Sequence, residues 1–514
     1  MFSPMAVCAL RVAAVLWLCA GGAQARSYVA AVYEHRVVLN AHPAERLSRS
    51  AALRHMQQNL DVFEEQVTAA ARQGAQIIVF PEDAIHGFNF SRESIAGYLE
   101  TVPDPAAVRW SPCSDPTRFP NTEVLQRLSC MAQNSALYVV VNLPDRQPCD
   151  ARSDARCPLD GRYQFNTDVV FSDNGTIVAR YHKHNLYFEA AFDAPAEPEL
   201  VTFHTPFAGS FGVFTCFDIL FSEPALALVE ARGVRQLVYP TAWMNQLPLL
   251  AAVQFQRSFS YAAGVTLLAA NVRSAALGMT GSGIFTPWQA LYHHDTQGES
   301  GKLLVATVPV LDPDVAGGGP KGGQLPLPFS GYPEPEFCLR GGGECERGGG
   351  AFPEAPAVLS STFTAEMMYD NFTMVLLEGS VGNMTVCDGA LCCHLLFRRS
   401  GAPAELYALA AFQGLHVVHG TYALEVCALV RCAGPAPSNC GGEIDHAHTL
   451  MDFWLAGTFS TRHVFPGVLG SGVRPDRPDR SGWEGRRFSM SRTGMRNGLL
   501  TAVLYGRAFD RDRG

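Results

Sequence analysis

From residue 28 to about residue 311 the chain repeats one pattern: short runs rich in β-branched and aromatic residues, separated by segments with helical spacing. Residues 29–32, 76–80, 137–142, 169–171, 177–181, 211–214, 236–239, 266–270 and 303–308 have the length and composition of strands. Leu53, Met56, Leu60, Phe63, Val67 and Ala70 recur at steps of three and four, which places them on one helix face, and Gly74 stands where a C-terminal cap would. A second helix is expected over residues 223–232, followed by Gly233. Strands alternating with helices predict an α/β domain, because the apolar face of each sheet needs a helix layer to cover it. Asn174-Gly175 reads as a hairpin turn with positive φ at both residues, so the sheets should be mixed rather than purely parallel. The expectation is a layered sandwich with two sheets inside.

Between Val315 and Pro356 the composition turns to Gly and Pro (AGGGPKGGQ, LRGGGECERGGG), which cannot pack a core. Residues 313–356 are therefore expected to be a linker, tethered at Cys338 and Cys345 if these pair. It separates a large domain, 26–312, from residues 357–514. There, strand-like pieces at 372–377, 395–397 and 421–426 occur with six cysteines, the pattern of a smaller β-rich, disulfide-stapled domain. Residues 1–25 have an apolar stretch followed by Ala23-Gln24-Ala25, the small-x-small pattern of a signal peptide.

A net charge of −9 without any Lys/Arg block speaks against a nucleic-acid surface or a polybasic membrane patch, so the expected partner is a small molecule. After the leader no run reaches the roughly 18 apolar residues of a membrane span, and a charged C-terminus does not fit a lipid-anchor signal. The expected location is extracellular, as a secreted protein with no membrane anchor. Cysteine counting agrees. Of 15 cysteines, Cys8 and Cys19 fall in the leader, leaving 13, an odd number in an oxidising compartment. Most of these sit in polar or Gly/Pro-rich surroundings suited to pairing, whereas Cys216 ends the apolar run Phe211-Gly-Val-Phe-Thr-Cys. Four sequons, at Asn89, Asn174, Asn371 and Asn383, fit a glycosylated secreted chain.

A Walker loop, HExxH, a GxSxG elbow and paired CxxC motifs are all absent from the sequence, which removes the commonest nucleotide, zinc-protease, serine-hydrolase and thiol-redox readings. Three strand-like runs instead end directly in a reactive side chain: one leads to Glu82, one to Lys183 and one to Cys216. Ligand sites of open α/β sheets lie beyond the carboxyl ends of strands, so the three can converge although far apart in sequence. Taken singly, each has a plainer reading: a buried small hydrophobe for Cys216, a cap for Glu82, a solvated surface group for Lys183. His86, His182 and His184 offer a Cys–His alternative, weakened because His182 and His184 flank a lysine that disfavours an imidazolium. Asp445-His446-Ala-His448 lacks a third metal ligand in view, and no metal or cofactor is expected. Trp243, Met244 and the QLPLL run fit either a core or a substrate-pocket wall.

The segments PEDAIHGFNF, RYHKHNLYFEAAFD and FTCFDILF resemble the Glu, Lys and Cys segments of the nitrilase, or carbon–nitrogen hydrolase, superfamily. VYPTAWMNQLPLLAA, NTEVLQRLSCMA, CPLDGRYQFNT and TFTAEMMYDNFT are similar to its secreted biotinidase/vanin branch, over residues 28–507. The resemblance implies a nitrilase-like α-β-β-α sandwich with a smaller C-terminal domain. It implies that Cys216 is the nucleophile, Glu82 the proton shuttle and Lys183 the oxyanion partner, helped by the Phe217 backbone N–H, with Glu189 orienting the lysine or the attacking water. Glu197 and Glu199 lie close enough to compete for that last role. The implied reaction is hydrolysis of biocytin and biotinyl-peptides to free biotin through a thioester, the same intermediate being able to pass biotin to another amine. The alternatives are hydrolysis of pantetheine to pantothenate and cysteamine, and a non-catalytic secreted biotin carrier.

Overall fold

The computed structural model describes residues 26–311, 361–402, 404–418 and 420–512. Residues 1–25 and 313–356, read above as a signal peptide and a linker, lie outside the described residues, as do Cys338 and Cys345. Twelve strands build the first domain: β1 (Ser27–Arg36), β2 (Ile77–Val79), β3 (Tyr138–Pro148), β4 (Arg162–Phe171), β5 (Ile177–His182), β6 (Thr202–Thr205), β7 (Gly209–Val213), β8 (Gln236–Thr241), β9 (Thr266–Arg273), β10 (Ser282–Phe285), β11 (Ala290–His293) and β12 (Lys302–Pro309). They form two layers, ordered β12-β1-β2-β3-β4-β5 and β11-β10-β9-β8-β7-β6. Among the described residues the layers join where His35 and Arg36 of β1 pair with Val272 and Arg273 of β9. In each layer the central strands are parallel and the outer ones antiparallel. This is the expected mixed sandwich.

Val32, Val79 and Val140 from one layer meet Phe211, Val213 and Val238 from the other in one fully buried cluster. Each such side chain contributes roughly 1.5–3 kcal/mol relative to exposure. Helix α1 (Arg49–Arg72) buries the predicted stripe of Met56, Leu60, Phe63, Val67 and Ala70 on the outer face of the first layer. The Ser48 hydroxyl caps its start and the backbone N–H of Gln73 closes its end, one residue before Gly74. Helix α2 (Glu123–Ser135) packs beside it.

The structure corrects two local expectations. The segment 223–232 is not one helix: Glu223 is extended (φ −113°, ψ 131°), a π-turn spans Ser222–Leu226, and only α3 (Ala227–Glu230) is α-helical. Pro224 explains the break, because the residue before a proline is disfavoured in the helical region. In the β4–β5 hairpin only Gly175 has positive φ, 79°. Asn174 contributes through its side chain, whose Oδ1 accepts from the Thr176 N–H and the Ser172 hydroxyl, each at 3.0 Å.

The second domain packs a seven-stranded antiparallel sheet on a five-stranded one. Cys393–Cys427 ties the two sheets together, joining strand Leu391–Ser400 to strand Tyr422–Arg431. Four further disulfides, Cys113–Cys130, Cys149–Cys157, Cys387–Cys392 and Cys432–Cys440, close short loops. Helix α4 (Ala252–Ala263) fills the space between the domains, with Phe255 and Phe259 against Phe465 at 5.6 and 5.9 Å between ring centroids. Arg507, fully buried at the end of the last strand, reaches across to the carbonyl of Leu220 at 2.7 Å. Among the described residues no helix is long and apolar enough to cross a membrane.

Candidate active site

The three strand ends meet at one site. Glu82 follows β2, Lys183 follows β5 and Cys216 follows β7, so the site sits between the layers at their carboxyl ends. Cys216 has a left-handed backbone (φ 45°), a strained setting that an L-residue adopts only when its surroundings enforce it. The enforcement is visible. Asp218 turns the chain back into a short 3₁₀ helix, Cys216–Leu220, with its Oδ2 accepting from the Thr215 N–H at 3.0 Å and the Tyr181 hydroxyl at 2.7 Å. Its Oδ1 accepts from the backbone and side-chain amides of Asn185, and Tyr239 donates its hydroxyl to the Cys216 carbonyl at 2.8 Å.

Lys183 is buried, with Nζ 2.7 Å from Glu82 Oε1 and in contact with Glu189 Oε1. Of the three glutamates after the lysine, Glu189 is the one on the ammonium; Glu199 pairs with His182, and Glu197 is exposed. Glu82, the Thr241 hydroxyl and the Ala242 N–H lie near enough to the Cys216 thiol to influence its ionisation. Ala242 also donates to Glu82 Oε2 at 2.9 Å.

Burial, reinforced by the Glu82 charge, pushes the thiol well above its ordinary range, with Lys183 opposing. Burial likewise raises Glu82, again against the pull of Lys183. Burial pulls the lysine down, but the carboxylates of Glu189 and Glu82 more than offset this and keep it an ammonium. The resting site therefore holds a thiol, a carboxyl group with a strengthened affinity for protons and a fixed positive charge.

Sequence reasoning missed the amides behind the carboxylates. Asn166 Nδ2 lies 2.9 Å from Glu82 Oε1 and 2.7 Å from Glu189 Oε2. Asn142 in turn donates to Asn166 Oδ1 at 2.6 Å and to Asp168 at 2.9 Å, while Asp168 accepts from the Thr215 hydroxyl at 2.7 Å. The available signal was a polar residue inside an apolar strand, as in Val139-Val-Val-Asn142.

The histidine alternative loses its geometry. His182 is engaged by Asp145 and Glu199 at 3.1 and 3.0 Å, and His86 faces Asp83 at 3.3 Å, where burial lowers its pKa to about 3. His446 lies on the surface beside Asp445, and among the described residues no cluster of His, Cys, Asp and Glu is arranged to hold a metal.

A cavity opens from Cys216, walled by Phe217, Leu220, Trp243, Met244, Gln246 and Leu250, which assigns the QLPLL segment to the pocket. Asn271 lies behind this wall and holds the Trp243 backbone at both N–H and carbonyl. Two further wall residues, His416 and Tyr422, come from the second domain. The backbone N–H of Phe217 falls in the first turn of the 3₁₀ helix, where amides lack a partner within the helix.

Residues 50–297 match the carbon–nitrogen hydrolase family, and residues 361–512 match the Vanin C-terminal domain. The chain is 55% identical over 490 residues to biotinidase of Takifugu rubripes, covering 94% of each protein. It is 52% identical to biotinidase of Mus musculus, covering 95% of this chain and 94% of that protein. It is 45% identical to pantetheinase of Canis lupus familiaris, covering 97% of this chain and 92% of that protein. With this fold, and with such likeness along nearly its whole length, the chain belongs to the carbon–nitrogen hydrolase family, in the branch that carries a Vanin C-terminal domain.

Proposed function

We propose that this protein is a secreted amidase that releases biotin from biocytin and biotinyl-peptides through a thioester on Cys216. The observation that carries the chemistry is the Glu82–Lys183 pair buried beside Cys216, which itself lines the cavity. Glu82 takes the thiol proton as sulfur attacks the amide carbon, because neither the raised thiol nor the Lys183 ammonium is itself a base. Negative charge forming on the carbonyl oxygen meets the Lys183 ammonium and the Phe217 N–H. Glu82 then passes its proton to the leaving nitrogen, the C–N bond breaks and the amine departs. Water, deprotonated by Glu82, attacks the thioester; the C–S bond breaks, the acid is released and the proton returns to sulfur. A second amine in place of water would accept the biotinyl group. Glu189 acts through Lys183 as a positioning residue.

The substrate reading rests on the greater identity to biotinidases than to pantetheinase, and on a pocket that combines apolar walls with few polar groups. A biotinyl group has an apolar chain and a polar ureido end that must be hydrogen-bonded when buried. The presence of the complete Cys–Glu–Lys set speaks against a mere carrier.

The same proposal includes a signal peptide over residues 1–25, domains over 26–312 and 357–514, and a linker between them. Five disulfides among the described residues suit an oxidising compartment, and Asn89, Asn174, Asn371 and Asn383 are exposed, as glycan acceptors must be. The test is a side-by-side assay of biocytin and pantetheine on one preparation. Biocytin is expected to have the greater kcat/KM by more than about tenfold, or about 1.4 kcal/mol of transition-state binding. The reverse preference would move the protein to the pantetheinase reading.

A further inference from the structure

The first domain contains the whole Cys–Glu–Lys set, yet the second supplies part of the cavity wall. His416, at the end of strand Tyr407–His416, is 5% exposed and shares the cavity with Cys216. Its Nδ1 lies 2.7 Å from Asp370 Oδ2, itself nearly buried. Its ring rests on that of Tyr422, 4.7 Å between centroids, and Tyr422 is backed by the Arg507 guanidinium at 4.9 Å. Packing alone does not require an imidazole here: burying a hydrogen-bonded carboxylate beside a ring costs free energy that an apolar pair would not. The pair does fix the ring's orientation and its tautomer. A carboxylate only accepts, so a proton sits on Nδ1, and in the imidazole form Nε2 is an acceptor on the opposite edge of the ring.

We infer that His416 is a specificity-determining residue whose Nε2 accepts a hydrogen bond from a ureido N–H of the biotinyl group, so that the active site is completed by the second domain. The inference rests on the biotinyl reading above. Two parts of a biotinyl-lysine amide carry N–H donors away from the scissile bond: the neutral cyclic urea and the zwitterionic lysine head. A cavity lined by Phe217, Leu220, Trp243 and Tyr422 favours the urea, because an ammonium and a carboxylate lose far more hydration on entering it. The lysine head is left to solvent, which also lets the same site accept biotinyl-peptides.

The test is calorimetric titration of the Cys216→Ala protein with free biotin and with biocytin. His416→Phe, which keeps a ring against Tyr422, is expected to weaken both ligands by at least tenfold. Loss of biocytin affinity alone would put His416 on the lysyl half and overturn the inference, as would unchanged affinity for both ligands. Failure of the Cys216→Ala protein with His416 intact to bind either ligand would instead overturn the biotinyl reading, and this inference with it. A ligand-side measurement needs no second substitution. Cyclic carbamate analogues of biotin, with oxygen replacing one or the other ureido N–H at nearly the same size, are titrated into the same Cys216→Ala protein. One of the two is expected to bind at least tenfold more weakly than biotin; equal affinity for biotin and both analogues would overturn the assignment.

Discussion

Lys183 Nζ stands 2.7 Å from Glu82 Oε1, and both side chains are almost completely buried. Withdrawing two charges from water costs several kcal/mol per ion, so such a pair adds little to stability and is more readily explained by chemistry. Lys183→Ala leaves Glu82 and Glu189 facing each other without their cation. It is expected to lower kcat by about 10²–10³-fold, through loss of oxyanion stabilisation, and to destabilise the fold by roughly 3–5 kcal/mol. Turnover at saturating substrate and denaturant unfolding separate the two effects; wild-type turnover would remove lysine from the mechanism.

The pH profile tests the proposed role of Glu82 as acceptor of the thiol proton. Burial raises the pKa of Glu82, and a protonated Glu82 cannot serve as base, so activity is lost as pH falls through that raised value. The acid limb of kcat/KM is therefore expected above the ordinary range of a glutamate. Asn166→Leu removes a donor from the carboxylate, favours the neutral form and is expected to move the limb to higher pH. A limb that stays in place would dissociate Glu82 from the titration.

Arg507 joins the second domain to the short helix Cys216–Leu220. Its guanidinium donates to the Leu220 carbonyl at 2.7 Å and to Asp512 at 2.6 Å, and stacks at 4.9 Å on Tyr422. Arg507→Met leaves the buried Leu220 carbonyl without this donor and takes the cation away from Asp512, and is expected to destabilise the protein by about 3 kcal/mol or more. Chemical denaturation checks it; a change within about 0.5 kcal/mol, usual for surface substitutions, would show that the contact is not structural.

The positions of Glu82, Lys183 and Cys216 at one site were legible in the sequence because each comes at or just after the end of a strand-like run, and strand ends are where such folds collect ligands. Helix α1 was legible because one of its faces is wet. Helix α4 was not: lying between two domains, it buries eleven of its twelve residues, and a helix covered on both sides has no polar stripe to reveal its period. Asn142 and Asn166 escaped notice for a related reason. A polar residue in a strand reads as solvent-facing, while here it turns inward to carboxylates. His416 and Tyr422 could not be placed at the cavity from sequence, since nothing local to them records how one domain docks on the other.

The most direct measurement is the mass of the Cys216 peptide after acid quenching of the enzyme with biocytin. One added biotinyl group on Cys216 is expected, together with its absence in Cys216→Ser and a loss there of at least ~10³-fold in turnover, because a carboxylate base activates an alcohol far less readily than a thiol. A biotinyl group found on another residue, or substantial turnover by a well-folded Cys216→Ser protein, would contradict a thioester mechanism at Cys216.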